Sequence, residues 1–478
     1  MNSHPKAKEA AVWLAAGLSM CIVLILAVIA PPQVVLSVAL IVLSIISGSR
    51  KNALLLVGIL VPVLGFVRRL LAGDEGRVDF DPLVATPILI VIAIVLFGLM
   101  SDKRDSASRL AKIVGAIGVL FSLFVVISVI LNRAFGFESL YFAALIVTPL
   151  LLIAGVLGQR VPDVWPSFER VIPTIAIIIA LYGILQFFVL PSWDKNWMIA
   201  SDLASIGHPR PFEVRIFGMS ESPGPYALFL GLSIVFCLSR AADRERAAGL
   251  PWYLLGLFLL FPLLLSGVRS ALVGVMVCAA VVVILRGRGM GRIFPLVLIA
   301  ITAWLAEKVI ASFDGVSTIL NAKRYTEFEV SSDGSVQARL GLFEYLLNPL
   351  PHVIGNPSSG ELDNLLVDTL VNYGIAPMIL MALLMSLALV ISLKILKRRL
   401  PGSAGLCTVF VFIAGFTSNF FISTFGIVAA MVLGSMFLQF LKNSKKNTLV
   451  QTTGPRIRHV IQAQRPSAPR SRPEIWKR

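Results

Sequence analysis

Apolar stretches about one helix long recur along the whole chain, each closed by a short polar or Pro/Gly-containing break. A helix needs roughly 20 consecutive apolar residues to cross a hydrocarbon core. The spacing predicts about fourteen such spans. They run near 11–30, 33–49, 53–71, 83–100, 113–131, 139–157, 171–190, 223–239, 250–266, 268–285, 293–311, 375–394, 404–422 and 424–441. The second, third and ninth are short or closely flanked. The first follows Lys6 and Lys8, as a secretory signal would. Its apolar core is longer than a signal's, and Pro31 and Pro32 follow with no small-residue cleavage site, so it reads as a retained helix.

The expected fold class is all-α, a polytopic transmembrane helix bundle of about 12–14 spans with two long extracytoplasmic loops. The chain divides into N-terminal transmembrane helices (1–190), a first long outer loop (191–222), more transmembrane helices (223–311), a second long outer loop with amphipathic helices (312–374), C-terminal transmembrane helices (375–441) and a basic cytoplasmic tail (442–478). That tail is rich in Pro, Arg, Ser and Gln, a composition that buries no core and reads as disordered. Its charge suits anionic lipid headgroups. No internal repeat is visible.

Composition supports a membrane class. Charged residues make up 14% of the chain and hydrophobic ones 57%, and the mean hydropathy is +0.87. A net charge of +16 would suggest nucleic acid in a soluble protein. Here its distribution matters more, because Lys and Arg concentrate on the cytoplasmic side. With the N-terminus inside, 30 of the 42 basic residues fall on inner segments and 12 on outer ones. The opposite orientation inverts that ratio. The long loops are therefore expected on the side of the membrane away from the cytoplasm. Cys21, Cys237, Cys278 and Cys407 lie in apolar runs and read as small packing residues. No His/Asp/Glu cluster has metal-ligand spacing, and there is no P-loop or dinucleotide fingerprint.

Ionisable residues inside spans mark ion and substrate paths. The first ten spans look almost free of them, which counts against a coupled transporter. The unusual polar residues gather in outer segments instead. Arg215 lies in Pro209–Gly218, a breaker-rich loop that runs through Ser222 and Pro223 into the eighth span. Arg269 lies in the tight turn Leu265–Ala271, against the positive-inside bias. Arg339 lies in Val336–Tyr345, which reads as a short amphipathic surface helix. The Arg215 guanidinium suits bidentate binding of a phosphate, and Arg269 suits pairing with lipid phosphate, with a substrate or with an outer-loop acid. Each of the three also suits a plain headgroup anchor.

In Glu361–Gly374, Asn364, Asp368 and Asn372 fall four apart and share one helical face. Asp363 at its start is either an N-cap or a general base, a role favoured when partial burial raises its pKa. His208 and His352 are further loop candidates for a base at neutral pH.

In this order, the segments resemble the O-antigen ligase and polymerase superfamily of bacterial polysaccharide assembly. The likeness covers roughly residues 170–441. It rests on Arg215–x–x–Gly218 leading into Ser222–Pro223, on Ser266–Gly–x–Arg–Ser–Ala271, and on Arg339 followed by Asn348–Pro–Leu–Pro351, Gly355, Asp363–Asn364–Leu365 and Gly374. The resemblance implies a GT-C-like, metal-independent glycosyltransferase without cofactor. Its donor would be an undecaprenyl-diphosphate-linked glycan at the outer face of the plasma membrane. Arg215, Arg269 and Arg339 would hold the diphosphate; the family's base does not transfer, and the residues themselves offer Asp363, with His352 in reserve, to act on the acceptor and Asn364 and Asp368 as support. Ligases carry His where this chain has Asp363, so the likeness leans to a polymerase of O-antigen or exopolysaccharide repeats. Transfer to lipid A–core by a ligase is the alternative, and a lipid-linked oligosaccharide flippase is the alternative of another class. Membrane lipids, chain-length regulators and flippase proteins are the partners expected, and nucleic acid is not.

Overall fold

The computed structural model describes residues 30–47, 49–76, 81–100, 108–201, 206–243, 246–285, 300, 304, 334–357, 362–398, 400, 402–418 and 420–452. Among them the architecture is helical throughout, with one isolated β-bridge and no strand. The helices are α1 (Pro32–Ile46), α2 (Arg50–Ala72), α3 (Thr86–Leu99), α4 (Arg109–Leu131), α5 (Phe137–Leu157), α6 (Trp165–Val189), α7 (Ser192–Ser201), α8 (Pro223–Ala242), α9 (Arg246–Leu265), α10 (Arg269–Leu285), α11 (Gly334–Leu347), α12 (Leu365–Tyr373), α13 (Ile375–Lys397), α14 (Ala404–Thr417) and α15 (Phe425–Thr452).

Twelve of the fourteen expected spans coincide with helices; 11–30 and nearly all of 293–311 lie outside the described residues. Cys21 and most of the second outer loop lie outside them too. Among the described residues, seven helices are long and apolar enough to cross a membrane, and five more are apolar but shorter. Local breakers shorten them. The span expected at 83–100 opens with a 3-10 turn, Pro82–Val84, capped by Asp81, and its helix begins only at Thr86–Pro87. The span at 404–422 ends its helix at Thr417 and turns through Phe420–Ile422. The first outer loop is not simply a loop: its Trp-rich start forms α7, which buries Asp194, Trp197 and Met198.

Burial separates inner from outer helices. Every residue of α8 from Tyr226 to Ser239 is buried, the pattern of a helix enclosed on all sides. It packs against α2, α6, α9, α10 and α14. By contrast α4 exposes Val119, Leu123, Val126 and Ile130, one helical stripe of large apolar side chains. Such a stripe suits acyl chains, not water.

The bundle has two chemically distinct ends. At one, Arg50 donates to the carbonyls of Arg160 (3.0 Å) and Phe97 (3.1 Å). There Arg240 also pairs with Glu169, whose Oε1 accepts from Trp165 Nε1 (2.9 Å) and Ser403 Oγ. Arg69 sits at the other end of α2, about 28 Å away at a rise of roughly 1.5 Å per residue. The loops around Gly218, Ser266 and Gly355 lie at that second end.

Candidate functional site

The segment before α8 is a tight hairpin. Gly207 bridges Val214, His208 N donates to Glu213 O (3.2 Å), and Arg215 N donates to Ile206 O (2.8 Å). Gly207 has φ +90°, and a Cβ there would lie 2.7 Å from Glu213 O. His208 is exposed on this hairpin.

Arg215 leaves the hairpin half-buried and reaches the turn between α9 and α10. Its Nε donates to Ser266 O (3.1 Å) and its Nη2 to Gly267 O (3.2 Å). A guanidinium is favoured at carbonyls that close a helix C-terminus. Gly267 has φ +66°, and an added Cβ would stand 3.0 Å from Arg215 Nε. Two residues on, Arg269 opens α10, half-buried. Two of the three sequence motifs therefore meet through one side chain.

Gly218 of the first motif also has a local cause. It has φ +50°, and its missing Cβ leaves room for the Tyr226 ring, which would otherwise be met at 2.3 Å. On the other side Gly183 of α6 accommodates the Tyr226 hydroxyl.

Beneath this loop lies a charged network that reading the sequence missed. Arg69 and Asp194 both have fully buried side chains and pair at 2.6 Å. Arg69 also donates to Gly218 O and Ser220 O (both 2.5 Å), and its guanidinium faces the Phe217 ring. Asp194 Oδ2 accepts from Tyr182 (2.8 Å) and Gln186 (2.8 Å), and Gln186 Oε1 accepts from the N–H groups of Phe217 and Gly218 (2.9 Å each). Phe66 N donates out of α2 to Met219 O (2.7 Å). Gly65 permits this approach, since a Cβ there would lie 2.4 Å from Ser220 C. Neighbouring Arg68 pairs with Asp81 and with Glu221 (2.6 Å). The first ten spans look almost free of ionisable groups, but Arg68 and Arg69 lie within the third, and Arg69 is fully buried in an ion pair. Two consecutive arginines near the end of the third span were the available signal; Asp81 lies only 13 residues from Arg68, but Glu221 and all the partners of Arg69 lie more than a hundred residues away.

The second group centres on α12. Its N-cap is Asn364, not Asp363: Asn364 Oδ1 accepts from Leu366 N (3.0 Å) and Val367 N (3.2 Å), and its Nδ2 donates to Phe416 O (3.1 Å). Asp363 is exposed, so the part-buried carboxylate expected of a general base is not found. The face shared by Asn364, Asp368 and Asn372 is buried. Asp368 Oδ1 accepts from Leu362 N (2.9 Å) and Asn372 Nδ2 (3.1 Å). Asp368 thus ties the helix to the loop entering it, a supporting role in geometry.

Gly355 and Gly374, with φ of +76° and +101°, pack backbone to backbone. A Cβ on Gly374 would lie 2.4 Å from Val353 O. Asn132 Nδ2 donates to Gly355 O (3.0 Å). His352 ends a 3-10 turn, half-buried, with its ring 5.4 Å from that of Tyr345. Arg339 belongs to α11 by its backbone; its side chain lies outside the described residues.

Helix α11 and the His352 turn both pack on α12. Helix α14 packs against α10, which Arg269 opens, and against α12, which Asn364 caps. One helix therefore joins the two groups at the same end of the bundle. Cys237, Cys278 and Cys407 are buried among apolar side chains. Compared with known proteins, the sequence matches no family model and no curated protein.

Proposed function

We propose that this protein is a polysaccharide polymerase joining undecaprenyl-diphosphate-linked repeat units at the outer face of the plasma membrane. The observation that carries the reading is the Arg215 side chain seated on the Ser266–Gly267 turn, immediately before Arg269. It brings two arginine-bearing segments to the end of the bundle opposite the basic Arg50–Arg160–Arg240 end. By the positive-inside rule the Arg50 end is cytoplasmic, and the candidate site then faces the periplasm.

In this mechanism an acceptor hydroxyl, oriented by Asp363, attacks the anomeric carbon of the donor sugar. A C–O bond forms as the bond to the lipid diphosphate breaks. The hydroxyl proton passes to Asp363 or to water, with His352 in reserve as its acceptor. Arg215, Arg269 and Arg339 hold the departing diphosphate. Fixed positive charge where negative charge develops lowers the barrier, most effectively in a site shielded from water. Asn364 and Asp368 keep Asp363 in place by fixing the start of α12.

A glycan gel tests the reading. Arg215→Ala and Arg339→Ala should each remove the polymer ladder and leave single repeats, with the protein still in the membrane. Wild-type ladders in both variants would refute the diphosphate site. Free long chains unattached to lipid A–core would indicate a ligase instead, and repeats held on the inner leaflet a flippase.

A further inference from the structure

We infer that Arg69 and Asp194 are the positioning pair of the proposed site: they fix the 217–221 segment, and through it the Arg215 guanidinium, without touching substrate. The inference rests on the proposed reading for what Arg215 does. Its account of the loop rests on geometry alone.

A fully buried ion pair is a poor source of stability, because removing two charges from water offsets most of their attraction. Its use must be sought in what it holds. Arg69 sends Nε to Asp194, Nη1 to Ser220 O and Nη2 to Gly218 O. Asp194 in turn orients Gln186, whose Oε1 accepts from Phe217 N and Gly218 N. The Gly218 residue is thus gripped at both polar groups, its N–H by Gln186 and its carbonyl by Arg69. Two residues later Ser220 Oγ donates back to Pro62 O (3.4 Å), and Trp197 Nε1 donates to Glu221 O (3.3 Å).

This grip begins two residues after Arg215. On the other side Arg215 N is held by Ile206 O. The backbone carrying the guanidinium is therefore clamped before and after, and its reach to the Ser266–Gly267 turn follows. Neither partner has exposed side-chain surface, so neither can meet a diphosphate. A planar guanidinium can serve Asp194 and two carbonyls together, whereas an ammonium is a single point charge without that fork. Arginine, not positive charge alone, is what the site needs here.

The test uses the full chain in lipid nanodiscs, with hydrogen exchange read by mass spectrometry. Arg69→Lys removes the fork and keeps the charge. Gly65→Ala keeps every charge and pushes the loop off α2. Glu169→Gln, at the other end of the bundle, is the control. In the first two variants exchange in peptides covering 217–221 should rise about tenfold or more, the change expected for losing one charge-assisted hydrogen bond. Exchange in α13 and α14 should not change, nor should the control's loop.

With an undecaprenyl-diphosphate-linked repeat as substrate, kcat of Arg69→Lys should fall about tenfold or more while its KM changes less than about twofold. That is the pattern of an interaction realised in the transition state. Loop exchange like wild type in both variants would overturn the inference. So would a loosened loop with unchanged kcat, or a loss of activity matched by the control. If Arg215→Ala itself transfers normally, the functional reading fails, and the exchange data still decide whether Arg69 holds the loop.

Discussion

Gly267→Ala should destabilise the protein, and by much less once Arg215 is gone. Two costs are involved. A left-handed φ of +66° costs an alanine about 1–2 kcal/mol. The new Cβ would also lie 3.0 Å from Arg215 Nε, closer than that nitrogen can comfortably stay. The guanidinium must give by a few tenths of an ångström, and the expected result is the loss of one of its bonds to Ser266 O and Gly267 O, each worth about 1.5–3 kcal/mol as a charged hydrogen bond. In the wild-type background the sum is about 2.5–5 kcal/mol. In an Arg215→Ala background only the backbone strain remains, about 1–2 kcal/mol. The coupling is then about 1.5 kcal/mol or more, well above the roughly 0.5 kcal/mol scatter of independent sites. The assay is a double-mutant cycle of apparent Tm in one detergent, with membrane insertion checked for all four proteins. Equal Tm losses for Gly267→Ala in both backgrounds would show that the turn and the arginine do not support one another.

Three further outcomes follow from single residues. Gly374→Ala combines φ +101° with a Cβ 2.4 Å from Val353 O, and backbone cannot yield as a flexible side chain can, so membrane-inserted folded protein should drop sharply on size-exclusion chromatography. A normal monodisperse yield would contradict the Gly355–Gly374 packing. Tyr226→Phe should hold or raise the apparent Tm, because among the described residues the buried hydroxyl has no hydrogen-bond partner and an unmet buried polar group costs about 1–3 kcal/mol; a fall of several degrees would mean that the hydroxyl is bonded. Burial pushes the Asp163 carboxyl above the usual range despite hydrogen bonds from Ser435 Oγ and Trp165 N. An acid whose folded pKa is raised binds more protons when native, so its contribution is most favourable below pH about 4 and is lost as pH rises through the folded value. The Tm of Asp163→Asn should therefore gain on wild type as pH is raised from about 4, and parallel pH curves would sink that account.

Much of the helical framework was legible because lipid and helix geometry leave few alternatives. An apolar run of one helix length has one ordinary use, and twelve such runs became helices. Arg269 stands out in the sequence because a basic residue in an outer turn goes against the charge bias of the loops, and Arg215 because breakers set it at the mouth of a helix. Partners were not legible. Arg68 and Arg69, near the end of a span, look like residues that extend their charge to the interface. Asp194 looks like a loop acid. Only folding sets Arg69 against a carboxylate on α7. In the α12 segment the shared polar face was legible and the cap was not. A polar helical face faces water in a soluble protein, but in a bundle that exposes large apolar side chains elsewhere, polar groups turn inward. Asp368 and Asn372 did so, and the cap fell to Asn364 because backbone geometry, not the stronger charge, selects that position.

The buried Arg69–Asp194 pair bears directly on the choice between transferase and carrier. Ionisable groups inside spans are a mark of coupled transport, and a buried pair at the end of the bundle weakens the argument drawn from their scarcity. What argues against it now is occupancy. A coupling carboxylate must exchange partners as the ion or proton arrives and leaves, and the helices around it are broken to line a path. Asp194 is closed on all sides by Arg69, Tyr182 and Gln186. Arg69 spends its other donors on the carbonyls of Gly218 and Ser220. Moving either would release the loop that carries Arg215. A pair so engaged favours a rigid support over a gate, and a rigid support is what a site needs when it works by holding fixed charge against a leaving diphosphate.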